Sequence, residues 1–475
     1  MSDLLITQNS QLTTHHPRIK GVSLLELDYT NVLESAVHSH GIPKIAFEKA
    51  AQSSKHIVDD IQRAHTSGKL GFGDLPNDAT ALKAVMDFAH SHSSSNVLLL
   101  GIGGSALGPA ALDAALNHPN SGRRLVVLDN IDPDFIRDSL ASVAAQDTIV
   151  NVIAKSGVTA ETMATFAVVR KWMNDAIGET KARERFVVTT DPAKGDLLAI
   201  AQQENYPAFV IPPNVGGRFS VLSPVGTLPA ALMGFDVESL MKGAQNAAVQ
   251  ARKPFFENPA LVAAFIQFVL ERERGKRILV LFPYSQALWK FAFWLKQLWG
   301  ESLGKKLDRR GQEVYYGQTP TAALGATDQH SQLQLFIEGP NDKSFLFFAV
   351  KEFHNSLPIE HPFSKYDSMD YLEQKTMADL FRAEKQATEI ALTEAGRPNA
   401  TITVDRIDAE ALGELMMFSQ YFTAYAGEFY DVDAFDQPGV EYGKKLTFAM
   451  MGRPRFAEYN RKIEETRQRG RAIIR

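Results

Sequence analysis

The sequence predicts an α/β chain built as two lobes, each a parallel sheet flanked by helices, with extra helices at both ends. Two observations predict it. The 475 residues are about three times a common ~150-residue domain, so more than one core is expected. Short apolar runs also alternate with helix-like stretches in two separate cycles, the rhythm of βαβ units. A hydrophobic content of 45 % and a charged content of 22 % describe a packed protein and exclude wholesale disorder. The net charge of -5 supplies no cationic field for a polyanion, so nucleic acid is not an expected partner. Cysteine is absent, which removes disulfides, thiolate metal sites and a thiol nucleophile and fits a reducing compartment. The opening MSDLLITQNSQLTTHH lacks the basic start and apolar run of a secretory signal, and no run has a membrane helix's length, so a cytoplasmic protein is expected.

Residues 1–92 read as a helical segment: apolar positions recur at helical spacing from Val32 to Ala64, and again from Ala79 to His92 behind an Asp78 cap. Residues 93–235 form the first lobe, with strands expected at Val97–Leu100, Leu125–Leu128, Ile149–Ala154 and Phe186–Thr189. Residues 236–430 form the second, with a strand at Ile278–Phe282, a buried aromatic helix at Ser285–Trp299, and strands at Gln332–Ile337, Ser344–Val350 and Thr401–Val404. Residues 366–396 read as helical, and residues 431–475 form a C-terminal helical arm with a basic tail.

Two strand ends carry ligand chemistry. Val97–Leu100 runs into Gly101, Ile102, Gly103, Gly104, Ser105 and Ala106, where glycines let backbone N–H groups approach an anion at a helix start. The same loop satisfies G-x-G-x-x-A through Gly101, Gly103 and Ala106, with Asp129 ending the next strand, so a dinucleotide reading stays open at this point. Ile149–Ala154 ends in Lys155, Ser156, Gly157, Val158 and Thr159, whose hydroxyls suit phosphate oxygens or a plain helix cap. Adjacent parallel strands would bring both loops to one crevice at the carboxyl edge of the sheet, which favours one small phosphorylated ligand.

Further groups follow. Gly216 and Gly217 precede Arg218, bringing backbone and guanidinium to a point suited to an oxyanion or to a structural ion pair. Glu301 ends the aromatic helix, where the helix dipole and lost hydration both raise the carboxylate's proton affinity towards the range useful to a general base. Gln297 lies one turn back on the same face, and Lys305 is the alternative, structural partner of Glu301. His330 occupies a polar turn, and Lys444 stands early in a helix begun near Pro438.

In order along residues 95–450, these segments resemble the glucose-6-phosphate isomerase (phosphoglucose isomerase) family. The marks are Val215–Ser220, Glu301 and Ser302 with Gly304 and Lys305, Gln329 and His330, and Phe435, Asp436 and Gln437 with Gly439, Val440, Glu441 and Lys444. The resemblance implies two sugar-isomerase-type lobes and a homodimer whose site takes its histidine, His330, from the neighbouring subunit. It implies substrate and phosphate binding by Gly104, Ser105, Lys155, Ser156, Thr159, Gly217, Gln297 and Gln437, and catalysis by Glu301, His330, Lys444 and Arg218. Ala154 departs from the Ser of many members, and Pro213 from a polar or small residue.

The implied reaction is aldose–ketose exchange between glucose 6-phosphate and fructose 6-phosphate, in glycolysis and gluconeogenesis. It needs ring opening, proton transfer between adjacent carbons and stabilisation of an enediolate, with no cofactor and no metal. Two rival readings remain at this level: a nicotinamide-dependent oxidoreductase using Gly101, Gly103 and Ala106, and a non-enzymatic sugar-phosphate sensor.

Overall fold

A computed structural model describes residues 25–118, 121–363 and 365–469, so the expectation drawn from the first sixteen residues lies outside the described ones. Strand β1 (Leu25–Asp28) comes first, where helix was expected. The helical pattern from Val32 is broken: Glu34–Val37 is a single turn, and the longer helices are Lys44–Ser53 and Lys55–Thr66. Pro43 forces extended backbone before the second helix, and at Gly41 a Cβ would lie 2.5 Å from the Leu33 backbone, so the chain folds back on itself there. Asp78 caps the helix Ala79–Ser91, accepting from the Ala81 N–H at 2.9 Å.

The first sheet is β3 (Arg124–Leu128), β2 (Asn96–Leu100), β4 (Thr148–Ala154), β5 (Phe186–Thr190) and β6 (Ala208–Val210) in that order, parallel throughout. Every residue of β4 is buried, as befits a central parallel strand covered on both faces. The register sets Leu100 opposite both Leu128 and Val152, so the loops leaving β2 and β4 emerge side by side.

The second sheet runs β1, β12 (Asn399–Val404), β11 (Lys343–Val350), β7 (Ile278–Pro283), β10 (Thr319–Ala322), parallel except for β1, which pairs antiparallel with β12. A separate hairpin, β8 (Lys305–Leu307) with β9 (Glu313–Tyr316), leads into β10. The expected strand at Gln332–Ile337 is instead the helix Leu333–Glu338. Its Leu-Gln-Leu alternation imitates a strand, yet Gly339 and Pro340 stop it after one and a half turns, and Phe336 packs edge-on against Phe282 and Phe345. The strand beside β7 is Thr-Pro-Thr-Ala, an edge position where Pro320 costs no shared ladder bond.

The largest core joins the helices Val237–Gln250, Pro259–Arg274, Trp289–Leu303 and Ala409–Phe429 and takes in Phe47, Ile57 and Phe72 from the beginning of the chain. Residues 411–427 are buried without a break. Gly413 and Gly243 allow the first and last of these elements to touch backbone to backbone. A Cβ would stand 1.9 Å from the Leu240 carbonyl oxygen at Gly413 and 1.8 Å from that of Glu410 at Gly243. Beyond Gln437, the helices Glu441–Met450 and Asn460–Arg467 pack with the turn Pro454–Tyr459.

In the helix Leu107–Leu116, burial pushes the Asp113 carboxyl up to about 6, against the Asn117 amide that donates to it at 3.0 Å. An acid raised in the fold supports stability fully below its unfolded value near 4 and loses that support as pH climbs through about 6. Asp113→Asn is therefore expected to raise stability at pH 8 by an amount on the order of 1–3 kcal/mol, and Tm with it, with little gain at pH 4. Thermal melts at the two pH values check this.

Candidate active site

The site forms where the loops leaving β2 and β4 meet the segment 213–219 and the end of the helix Trp289–Leu303. After β2 the chain turns through Gly103–Ser105 into the helix at Leu107. At Gly104 a Cβ would sit 2.2 Å from the Gly217 carbonyl oxygen and 2.7 Å from the Arg218 nitrogen. Only glycine lets these two turns touch. Gly103 has φ +58°, and a Cβ there would lie 2.8 Å from the Gln297 Nε2. The face that a dinucleotide would need at Gly104 is thus filled by the Gly217–Arg218 turn, which disfavours that reading of Gly101, Gly103, Ala106 and Asp129.

The β4 loop places the Ser156 and Thr159 hydroxyls 3.2 Å apart, with Thr159 at the start of the helix Ala160–Ile177. Ser156 is exposed, and neither hydroxyl is sunk in the core. Lys155 turns inward and donates to the carbonyls of Pro213 at 2.8 Å and Val215 at 2.7 Å, tying the hydroxyl loop to the Gly-Gly-Arg segment. Burial lowers its ammonium's proton affinity, partly offset by Asp191.

Arg218 is the buried centre of the site, with its side chain 2 % exposed. Its Nε donates to Ser302 Oγ at 2.7 Å, one terminal nitrogen donates to the carbonyls of Ala434 at 2.6 Å and Asp436 at 2.9 Å, and the other donates to the Gln437 side-chain carbonyl. That last nitrogen also stands 3.8 Å from the Glu301 carboxylate. Burial lowers the guanidinium's proton affinity, and Glu301, Asp436 and Asp433 counter it. Glu301 lies in the last turn of its helix, a third exposed, and accepts from Gln297 Nε2 at 3.1 Å, so the expected one-turn pairing of these two residues is present.

The alternative partner, Lys305, does not hold the Glu301 carboxylate. Its ammonium reaches only the Glu301 backbone carbonyl, at 3.4 Å, and bonds to Asp436 instead. Gly304 ends the helix and turns Lys305 out of the i, i+4 geometry. Ser302 and Asp436 are marks of the resemblance to which the sequence assigned no role; in the structure Ser302 and the backbone carbonyls of Ala434 and Asp436 hold Arg218.

Two expected residues stand apart from this cluster. His330 ends the turn Thr327–His330 beyond β10, exposed, and its side chain forms no hydrogen bond or ion pair among the described residues. Lys444 is exposed on the helix Glu441–Met450 and pairs with Glu441 at 2.8 Å.

A family model described as phosphoglucose isomerase matches residues 88–465. A glucose-6-phosphate isomerase of Carboxydothermus hydrogenoformans is 39 % identical over 469 residues, covering 95 % of this chain and 99 % of that relative. One from Rubrobacter xylanophilus is 44 % identical over 394 residues, covering 81 % and 89 %. Among solved structures, a hypothetical protein from Thermus thermophilus superposes with a TM-score of 0.80 at 38 % identity, covering 90 % of this chain and 100 % of that one. The fold is also that of a glucose-6-phosphate isomerase from Chlamydia trachomatis, with a TM-score of 0.72 at 23 % identity over 82 % and 76 % of the two chains. A match over most of the length, together with an arginine held between a glycine turn and a helix-end glutamate, establishes that the chain belongs to the phosphoglucose isomerase family.

Proposed function

We propose that the protein interconverts glucose 6-phosphate and fructose 6-phosphate, a step of glycolysis and gluconeogenesis, by ring opening and proton transfer through a cis-enediolate. The observation that carries this reading is Glu301, oriented by Gln297 and 3.8 Å from the buried Arg218 guanidinium. A carboxylate next to a fixed cation in a water-poor site can move a proton between adjacent carbons while the cation stabilises the charge that develops on their oxygens.

Ser156 and Thr159, with the backbone of Lys155, would hold the phosphate at the start of the helix Ala160–Ile177. Gly104, Ser105, Gly217, Gln297 and Gln437 would line the sugar. His330 and Lys444 would open the ring, His330 reaching the site of a second copy in a homodimer. That assignment accounts for an exposed His330 whose side chain has no partner among the described residues. The division at residues 92/93, 235/236 and 430/431, and a cytoplasmic location, belong to the same proposal.

Fructose 6-phosphate incubated with the protein and no added cofactor, followed by NMR, is expected to yield glucose 6-phosphate. Absence of turnover overturns the reading in favour of a sugar-phosphate sensor. Ser156→Ala and Thr159→Ala are each expected to weaken substrate binding by about 1 to 3 kcal/mol, the worth of a hydrogen bond to a charged group. Calorimetric titration with the sugar phosphate measures this, and unchanged affinity in both variants would put the phosphate elsewhere.

A further inference from the structure

We infer that Lys305 is a positioning residue that fixes Glu301 relative to the segment carrying Gln437. The inference rests on the reading of Glu301 as the base.

Lys305 follows the helix end at Gly304 and opens β8, and its side chain is 6 % exposed. An ammonium has three donors, and each is spent on this site: Asp436 Oδ1 at 2.6 Å, the Asp436 carbonyl at 2.5 Å and the Glu301 carbonyl at 3.4 Å. The first two contacts hold the segment 434–437, and the third reaches the last turn that carries the Glu301 side chain. A cation at the end of a helix also complements the unpaired carbonyls and the negative end of the dipole.

The Asp436 carbonyl is shared, accepting from Arg218 at 2.9 Å as well. The two cations have different freedom. Arg218 must turn part of its hydrogen bonding to the substrate oxygens, because the nitrogen beside Glu301 is capped by Gln437 before substrate arrives. Lys305 has no such second task. It keeps the 434–437 strap anchored while Gln437 exchanges Arg218 for sugar, so the base, the guanidinium and the strap stay in register. The carboxylate of Asp436 is 54 % exposed and water could serve it equally well. The buried ammonium is the member that depends on the link.

The test compares Lys305→Met, Asp436→Ala and the double variant in the full chain, with substrate deuterated at C2. Each single variant is expected to lower kcat about 10-fold or more while KM stays within about twofold, since a misplacement of about 1 Å can cost 10²-fold. The double variant should be no worse than the more impaired single one. The fraction of deuterium recovered at C1 of the product should fall, because a loosened strap admits water to the base. That ratio does not depend on how much of the enzyme is folded. Unchanged label recovery, or losses that add in the double variant, would overturn the inference. If Lys305→Met fails to fold, Asp436→Ala, which removes an exposed carboxylate, tests the same link. An inactive Glu301→Gln beside a fully active Lys305→Met would sink this inference alone, whereas a Glu301→Gln that still exchanges C2 hydrogen would sink the assignment beneath it.

Discussion

Glu301→Gln is expected to lower turnover by about 10²- to 10⁴-fold, the range for losing a general base, while substrate affinity is nearly kept. The amide preserves the size of the side chain and can still accept from Gln297, so the helix end and the Gly103 turn keep their packing. What it lacks is a carboxylate basic enough to take a proton from carbon. Exchange of the C2 hydrogen with solvent deuterium should collapse in step with turnover. Exchange at the parent rate in this variant would assign the base to another group.

Arg218→Lys is the second large effect, with kcat expected to fall by about 10²- to 10³-fold, the cost of removing a preorganised donor from developing negative charge. The guanidinium spans Ser302 on one side, the carbonyls of Ala434 and Asp436 on another, and Gln437 beside Glu301. A compact ammonium without the guanidinium fork cannot reach all of these, so charge is kept and geometry is lost. Buried acceptors left without a donor cost about 1–3 kcal/mol each, and Ser302 and Ala434 are fully buried, so Tm should fall as well. Steady-state kinetics beside a thermal melt separate the two losses. A lysine variant with parent kcat would remove Arg218 from the chemistry.

Most of the strands that the sequence reveals are those covered on both faces; β3 is an edge strand and is legible only because its Leu-Val-Val-Leu run is apolar all the same. The runs at β2, β4, β5, β7 and β11 are apolar almost throughout, and burial on both sides leaves no other pattern available. The edge strands β10, Thr-Pro-Thr-Ala, and β1, Leu-Glu-Leu-Asp, carry no such mark, and each owes its conformation to a neighbour far along the chain. The helix Leu333–Glu338 was missed for the opposite reason, since six residues are too few to show a helical period. Within the site, Gln297 with Glu301 was legible because both lie on one helix face. The link from Lys305 to Asp436 was not, because it joins residues 131 positions apart and competes with a pairing that local spacing favours.

The pairing of β1 with β12 has a consequence for the order in which the molecule is made. All strands of the first sheet lie between Asn96 and Val210, so that sheet can close soon after its last strand leaves the ribosome. The second sheet cannot: Leu25 lies opposite Val404 and Asp28 opposite Thr401. At about 5–20 residues per second, the first strand waits tens of seconds for its neighbour. Phe47 and Ile57, which join the same core as the helix Ala409–Phe429, wait with it. The beginning of the chain is therefore the part most exposed to premature association during synthesis. A nonsense codon upstream of Asn399 would leave β1, Phe47 and Ile57 without the elements that cover them.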